Sequence, residues 1–179
     1  KQFLESSVVK VADNLRLSQV NLEKAIDHVK SFKEMAHDRS NDQYISFNVE
    51  KVIDDLLLGL KSRFKASKVT IDTKIDVKKD IISRPGIISQ VIESLIVNAI
   101  SHAFDELDNK QIQLHVHLNQ QGDLCISVSD NGCGIDDSLR SNLFDPFVTT
   151  SRNHGHTGLG LYLVHEWVTS VLNGKIQLV

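Results

Sequence analysis

Three short stretches in the middle of the chain alternate apolar and polar residues with a period of two. They are Val69, Ile71, Thr73 and Ile75; Ile112, Leu114, Val116 and Leu118; and Leu124, Ile126 and Val128. Residues at i and i+2 share one face of a strand, so each stretch reads as a strand with one side to bury. Gln120-Gln121-Gly122 joins the last two as a hairpin. Cover for such a sheet comes from runs at helical spacing. A short strand at about residues 45–48 leads into Val52, Ile53, Leu56, Leu57, Leu60 and Phe64. Ser83 and Pro85 then open a helix over about residues 86–104, because proline's fixed φ and missing N–H suit a first turn. A last helix is expected after Thr157, reaching Leu172. Elements in this mixed order, with an antiparallel hairpin, predict a two-layer α/β sandwich, a mixed sheet covered by helices on one face.

Ahead of this sandwich runs a different pattern. Leu4, Val8, Val11, Leu15, Leu22, Ala25, Val29, Phe32 and Ala36 alternate steps of four and three, with Ser18 interrupting. A stripe of that period predicts one long bundle or coiled-coil helix over about residues 3–37, roughly 50 Å long and so longer than the domain it precedes is wide. A chain of 179 residues suits one main domain plus such a helix. Its 41% hydrophobic and 24% charged residues exclude the disordered and membrane-spanning classes. The net charge of −3 offers no broad attraction to nucleic acid or an anionic bilayer. Cys125 and Cys133 form neither a disulfide framework nor a metal-ligand spacing, which fits a reducing cytoplasm. No apolar run nears the roughly 18 residues of a spanning helix, so any membrane anchor of a parent sensor is expected outside this stretch.

Four pieces of the second half carry chemistry. On the helix after Pro85, Ser94, Asn98 and His102 fall at i, i+4 and i+8 and share one face. The amide oxygen of Asn98 suits a magnesium ion that keeps waters and bridges phosphates, although an asparagine bonded to nearby backbone has the same appearance. Asp130-Asn131-Gly132-Cys133-Gly134 follows a strand expected to end at Ser129. A carboxylate there can accept from the exocyclic amine of adenine, and the same residues also make an ordinary turn. Phe144-Asp145-Pro146-Phe147 pins one end of a polar stretch, residues 151–156, whose Arg152 can meet a phosphate if the stretch is a lid rather than a solvated loop. Thr157-Gly158-Leu159-Gly160-Leu161 opens the last helix, with Thr157 as its cap and free N–H groups for an anion, or simply a capped, closely packed start.

In this order the four pieces resemble the GHKL ATP-binding superfamily: its N box at Asn98, first glycine box at Asp130-x-Gly132-x-Gly134, F box at Phe144-x-Pro146-Phe147 and second glycine box at Gly158-Leu159-Gly160-Leu161. With the upstream helix and Ser31-Phe32-Lys33, the chain resembles two-component sensor histidine kinases more than the gyrase, Hsp90 or MutL branches. The resemblance implies a Bergerat-type sandwich that binds ATP with Mg2+ and passes the γ-phosphoryl to a histidine. It puts Asn98 on magnesium, Asp130 on the adenine amine, and Gly132 and Gly134 around the base. Thr157, Gly158, Leu159 and Gly160 fall by the phosphates, with His102 and Arg152 near the nucleotide. It further implies residues 1–40 as the second helix of a dimerisation and phosphotransfer hairpin, residues 41–179 as the ATPase domain without its final strand, a homodimer through the first helix, and a response-regulator receiver domain as partner.

Departures from the family pattern qualify this picture. Ser94 stands where many members carry a second asparagine, and where the gyrase and Hsp90 branches place a general-base glutamate. Glu93 is rotated by about 100° from that position. Ser151 replaces a frequent lid lysine. None of the eight histidines begins the His-Glu/Asp-x-x-Thr/Asn-Pro pattern, so the phosphoacceptor is expected outside this stretch and no catalytic residue is assigned within it. An ATP-binding or dimerising module without kinase activity, and a serine-directed kinase of the same superfamily, are the alternatives.

Overall fold

The computed structural model describes residues 43–104, 107–149 and 158–179, together with residue 18. The expected long helix, apart from residue 18, and the expected lid residues, including Arg152 and Thr157, lie outside the described residues.

A short strand β1 (Ile45–Phe47) leads into helix α1 (Val49–Ser67). Asn48 caps that helix, its Oδ1 accepting from the Lys51 N–H at 2.9 Å. Lys68 ends it in a left-handed conformation at φ 54°. Strand β2 (Val69–Asp76) follows at once, then β3 (Ile81–Ser83) and helix α2 (Pro85–His102), with Pro85 in the first turn as expected. The hairpin of β4 (Lys110–Leu118) and β5 (Leu124–Asp130) turns through Gly122 at φ 90°. A single turn α3 (Asp137–Arg140) precedes the last helix, α4 (Gly160–Glu166), which widens into π-type hydrogen bonding over Trp167–Val171, with the Leu172 N–H reaching the Trp167 carbonyl at 2.9 Å.

Strand β4 is central in a mixed sheet, parallel to β2 and antiparallel to β5. The pair β1 and β3 forms a separate antiparallel ladder. The alternation of Ile45, Ser46 and Phe47 marks β1 in the sequence, but its partner β3 went unseen, because the adjacent Ile81 and Ile82 show no alternation. Along β4 the period of two is complete: Ile112, Leu114 and Val116 are buried, and the polar residues between them lie on the opposite face. On that polar face the Asp76 carboxylate accepts from Lys74 Nζ at 3.3 Å and from His115 Nε2 at 3.2 Å. These bonds, His115's first, hold the Asp76 carboxyl below the ordinary aspartate value.

Helix α2 belongs to two cores. Ile88, Ile92, Ile96 and Ala99 pack with the sheet and with Ile53, Leu60 and Phe64 of α1. Ile87 and Val91 pack with Leu159, Leu163, Val164 and Trp167. Each fully buried aliphatic side chain contributes about 1.5–3 kcal/mol, so α2 fastens the last helix to the sheet domain from both sides.

Candidate functional site

The two-sided burial of α2 decides where its polar residues point. Asn98 lies eleven residues after Ile87, a separation of three helical turns plus about 20°. His102 stands in the same relation to Val91. The face that buries Ile87 and Val91 against α4 therefore continues toward the carboxyl end of α2 as Asn98 and His102, both half-buried. Ser94 lies on the same side, also half-buried. Gln90, one turn earlier, extends the ridge and keeps a buried Oε1 without a hydrogen-bond partner among the described residues. The sequence reading passed over Gln90, and a polar residue four positions before Ser94 was the available signal.

Asp130 comes to this ridge from the sheet. The strand was expected to end at Ser129, but β5 runs one residue further and Asp130 pairs with Ile112. By the alternation of the strand, Asp130 continues the row of Leu124, Ile126 and Val128, which packs toward the helices. The carboxylate is exposed at the end of that row, and its Oδ1 accepts from the Gly132 N–H at 2.9 Å. Beyond it the turn is bonded to the end of α2: the Cys133 N–H donates to the Ala103 carbonyl at 2.9 Å, and the Cys133 thiol reaches the His102 carbonyl at 3.7 Å.

The glycines occupy these turns for different reasons. A Cβ on Gly132 would stand 2.2 Å from the Ala103 carbonyl oxygen, so the first glycine is demanded by contact with α2, a cause the sequence reading did not see. Gly134 has open space around it but a φ of 74°. Gly158 has φ 69°, and a Cβ there would lie 2.6 Å from the Phe147 backbone, whose N–H in turn donates to the Gly158 carbonyl at 3.0 Å. The F box thus holds the second glycine box. Among the described residues a Cβ on Gly160 would meet nothing within 4 Å, and Gly160 has no positive φ. Helix α4 begins at Gly160 with Leu159 in the capping position and no side-chain cap bond, and Leu159 itself is buried. Thr157, expected as the cap, falls outside the described residues.

Asn98 and His102 on α2, the turn from Asp130 to Gly134 at its carboxyl end, and Leu159 between Gly158 and Gly160 are thus each tied to α2. Among the described residues no group of three or more His, Cys, Asp or Glu is set to hold a metal ion. The Asn98 amide oxygen is the donor here that suits a magnesium ion that keeps its waters and bridges phosphates. No helix among the described residues is long and apolar enough to cross a membrane.

Comparison with known proteins identifies the family and the fold. The signal transduction histidine-protein kinase BarA of Escherichia coli (strain K12) is 29% identical over 167 residues, which are 89% of this chain and 18% of that protein. The chain therefore spans under a fifth of the length of that relative. The catalytic domain of histidine kinase ThkA superposes with a TM-score of 0.63 at 24% identity, covering 75% of this chain and 87% of that one. Full-length ShkA in complex with AMPPNP superposes with a TM-score of 0.68 at 21% identity, covering 88% of this chain and 32% of that one. At these identities the two structures establish the fold. Residues 84–179, more than half the chain, match the family described as histidine kinase-, DNA gyrase B-, and HSP90-like ATPase, and the chain belongs to that family.

Proposed function

We propose that the chain is the ATP-binding catalytic part of a sensor histidine kinase, which passes the γ-phosphoryl of ATP to a histidine outside this stretch. One observation carries the reading: a single helix face packs on the second glycine box and continues as Asn98 and His102, while the end of that helix is bonded to the turn that follows Asp130. In this reading Asp130 accepts from the adenine amine, and Gly132 and Gly134 flank the base. Asn98 holds magnesium, which when bound with the nucleotide offsets the charge of the β- and γ-phosphates. His102, Arg152, Thr157, Leu159 and the backbone of Gly158 and Gly160 line the phosphate side. The protein's contribution is positioning and charge, with no covalent intermediate in this domain. Residues 1–40 serve as a hairpin helix through which the parent dimerises, residues 41–179 form the ATPase domain, and a response-regulator receiver domain takes the phosphoryl group onward. The chain is read as the cytoplasmic portion of its parent.

Ser94 favours a second reading, a nucleotide-binding module without transfer, because the position one turn before Asn98 lacks the amide that many members carry. The two are separated by supplying a helical hairpin with its histidine in trans, together with magnesium and ATP labelled at the γ-phosphate. Acid-labile label on the hairpin is the expected result. An unlabelled hairpin with intact ATP binding favours the binding module, and acid-stable phosphoserine on a protein substrate favours the serine-directed branch.

A further inference from the structure

Asn131 occupies the position that the Asp-x-Gly-x-Gly motif leaves open, and its side chain is among the most fully bonded in the turn. Its backbone N–H donates to the Gln111 carbonyl at 3.2 Å. Its Oδ1 accepts from the Gln111 N–H at 2.8 Å, and its Nδ2 donates to the Asn109 carbonyl at 2.8 Å. The regular ladder of β4 and β5 ends with Asp130 against Ile112. One residue later the side-chain amide of Asn131 takes the part of a peptide group, continuing the ladder along the start of β4 while the main chain is released into the turn. From the other side the turn is tied to α2 by the bond from Cys133 to Ala103. Asp130 is thus the last residue of the ordinary ladder and lies immediately before this clamp, and its Oδ1 is already engaged by Gly132.

We propose that Asn131 is a positioning residue for base recognition: by bonding to both Asn109 and Gln111 it fixes the direction of the Asp130 carboxylate, so that an amino group on the purine is preferred to an oxo group. The proposal rests on the reading of Asp130 as the adenine contact. The chemistry asks for asparagine specifically. An acceptor must meet Gln111 and a donor must meet Asn109 from two separate atoms of one short side chain, which aspartate, serine and alanine cannot provide. Aspartate would also set a second negative charge beside Asp130.

The test is calorimetric titration of the full chain with magnesium and either ATP or inosine triphosphate, which carries an oxo group where adenine carries its amine. The parent protein is expected to prefer ATP. Asn131→Ala is expected to weaken ATP binding about tenfold while leaving the inosine nucleotide nearly unaffected, since each lost bond of this kind is worth of the order of tenfold or less. Asn131→Asp, which keeps the acceptor toward Gln111, provides a second variant should Asn131→Ala fold poorly, and it is expected to lose part of the preference. A merely structural role would weaken both nucleotides in equal proportion, or lower the melting temperature with the preference intact, and either result overturns the proposal. Asp130→Asn separates the layers of the argument. If it abolishes the preference while both Asn131 variants keep it, the positioning role alone is overturned. If it leaves the preference intact, or if the parent shows none, the adenine reading falls and the proposal with it.

Discussion

The two glycine-rich turns look alike in sequence and are held in different ways. The first, from Asp130 to Gly134, is bonded to α2 through Cys133 and to the edge of β4 through Asn131. The second, at Gly158 and Gly160, meets the F box at Phe147 and rests on α2 through the buried Leu159. The first turn is therefore an extension of the sheet, and the second joins the Phe147 backbone to the start of α4, which packs on α2. The comparison teaches that a glycine motif mixes structural and ligand-directed requirements. Gly132 and Gly158 are demanded by neighbouring backbone, whereas nothing within the described chain demands Gly160.

That division can be broken at named positions. Gly158→Ala is expected to have the largest effect, because an alanine there meets both a left-handed φ and the Phe147 backbone. A loss of about 2–5 kcal/mol in denaturant unfolding follows from the two costs together. Gly132→Ala meets a close contact without the positive φ and should lose about 2–3 kcal/mol in the same measurement. If Gly132→Ala unfolds like the parent, the first turn is not seated on Ala103 as described. Gly160→Ala sharpens the contrast: stability should change by no more than about 0.5–1 kcal/mol, and upward, because alanine favours the helix. Its affinity for magnesium-ATP should nonetheless fall by about tenfold, or about 1.4 kcal/mol, if a phosphate approaches this backbone. Unchanged affinity would remove Gly160 from the site.

The smallest effect concerns α3, between the two turns. Asp136 caps it, its Oδ1 accepting from the Ser138 N–H at 2.8 Å and from the Ser138 hydroxyl at 2.6 Å. These bonds, the hydroxyl's first, hold the carboxyl below the ordinary 3.8. A depressed folded value means that the stabilisation is complete above the unfolded value and disappears as pH falls through the folded one. The stability difference between the parent and Asp136→Ala should accordingly be greatest near neutral pH and shrink below about pH 4. A constant difference across that range would mean the carboxylate is not what caps the turn.

Much of this molecule was legible in the sequence where a period was long enough to repeat. The alternation in β2, β4 and β5 and the helical spacing of α1 and α2 announced the sandwich, and Pro85 marked the start of α2. In β3 the adjacent Ile81 and Ile82 hide any alternation, so this strand and its pairing with β1 emerged only from the fold. For the site, residue types located Asn98, Asp130 and the glycines, but not the reasons for them. The contact of Gly132 with Ala103 and the clamp at Asn131 are tertiary facts between segments about 20 to 30 residues apart. Spacing along the chain contains nothing of either.

The central claim is that one nucleotide is bound between these turns across the face of α2. Backbone and side-chain amide signals of the full chain, followed by nuclear magnetic resonance during titration with magnesium-ATP, test it most directly. The account predicts that Asn98, Gly132, Gly134, Gly158 and Gly160 shift together along one saturation curve. Shifts confined to one turn, or curves with separate midpoints, would contradict it.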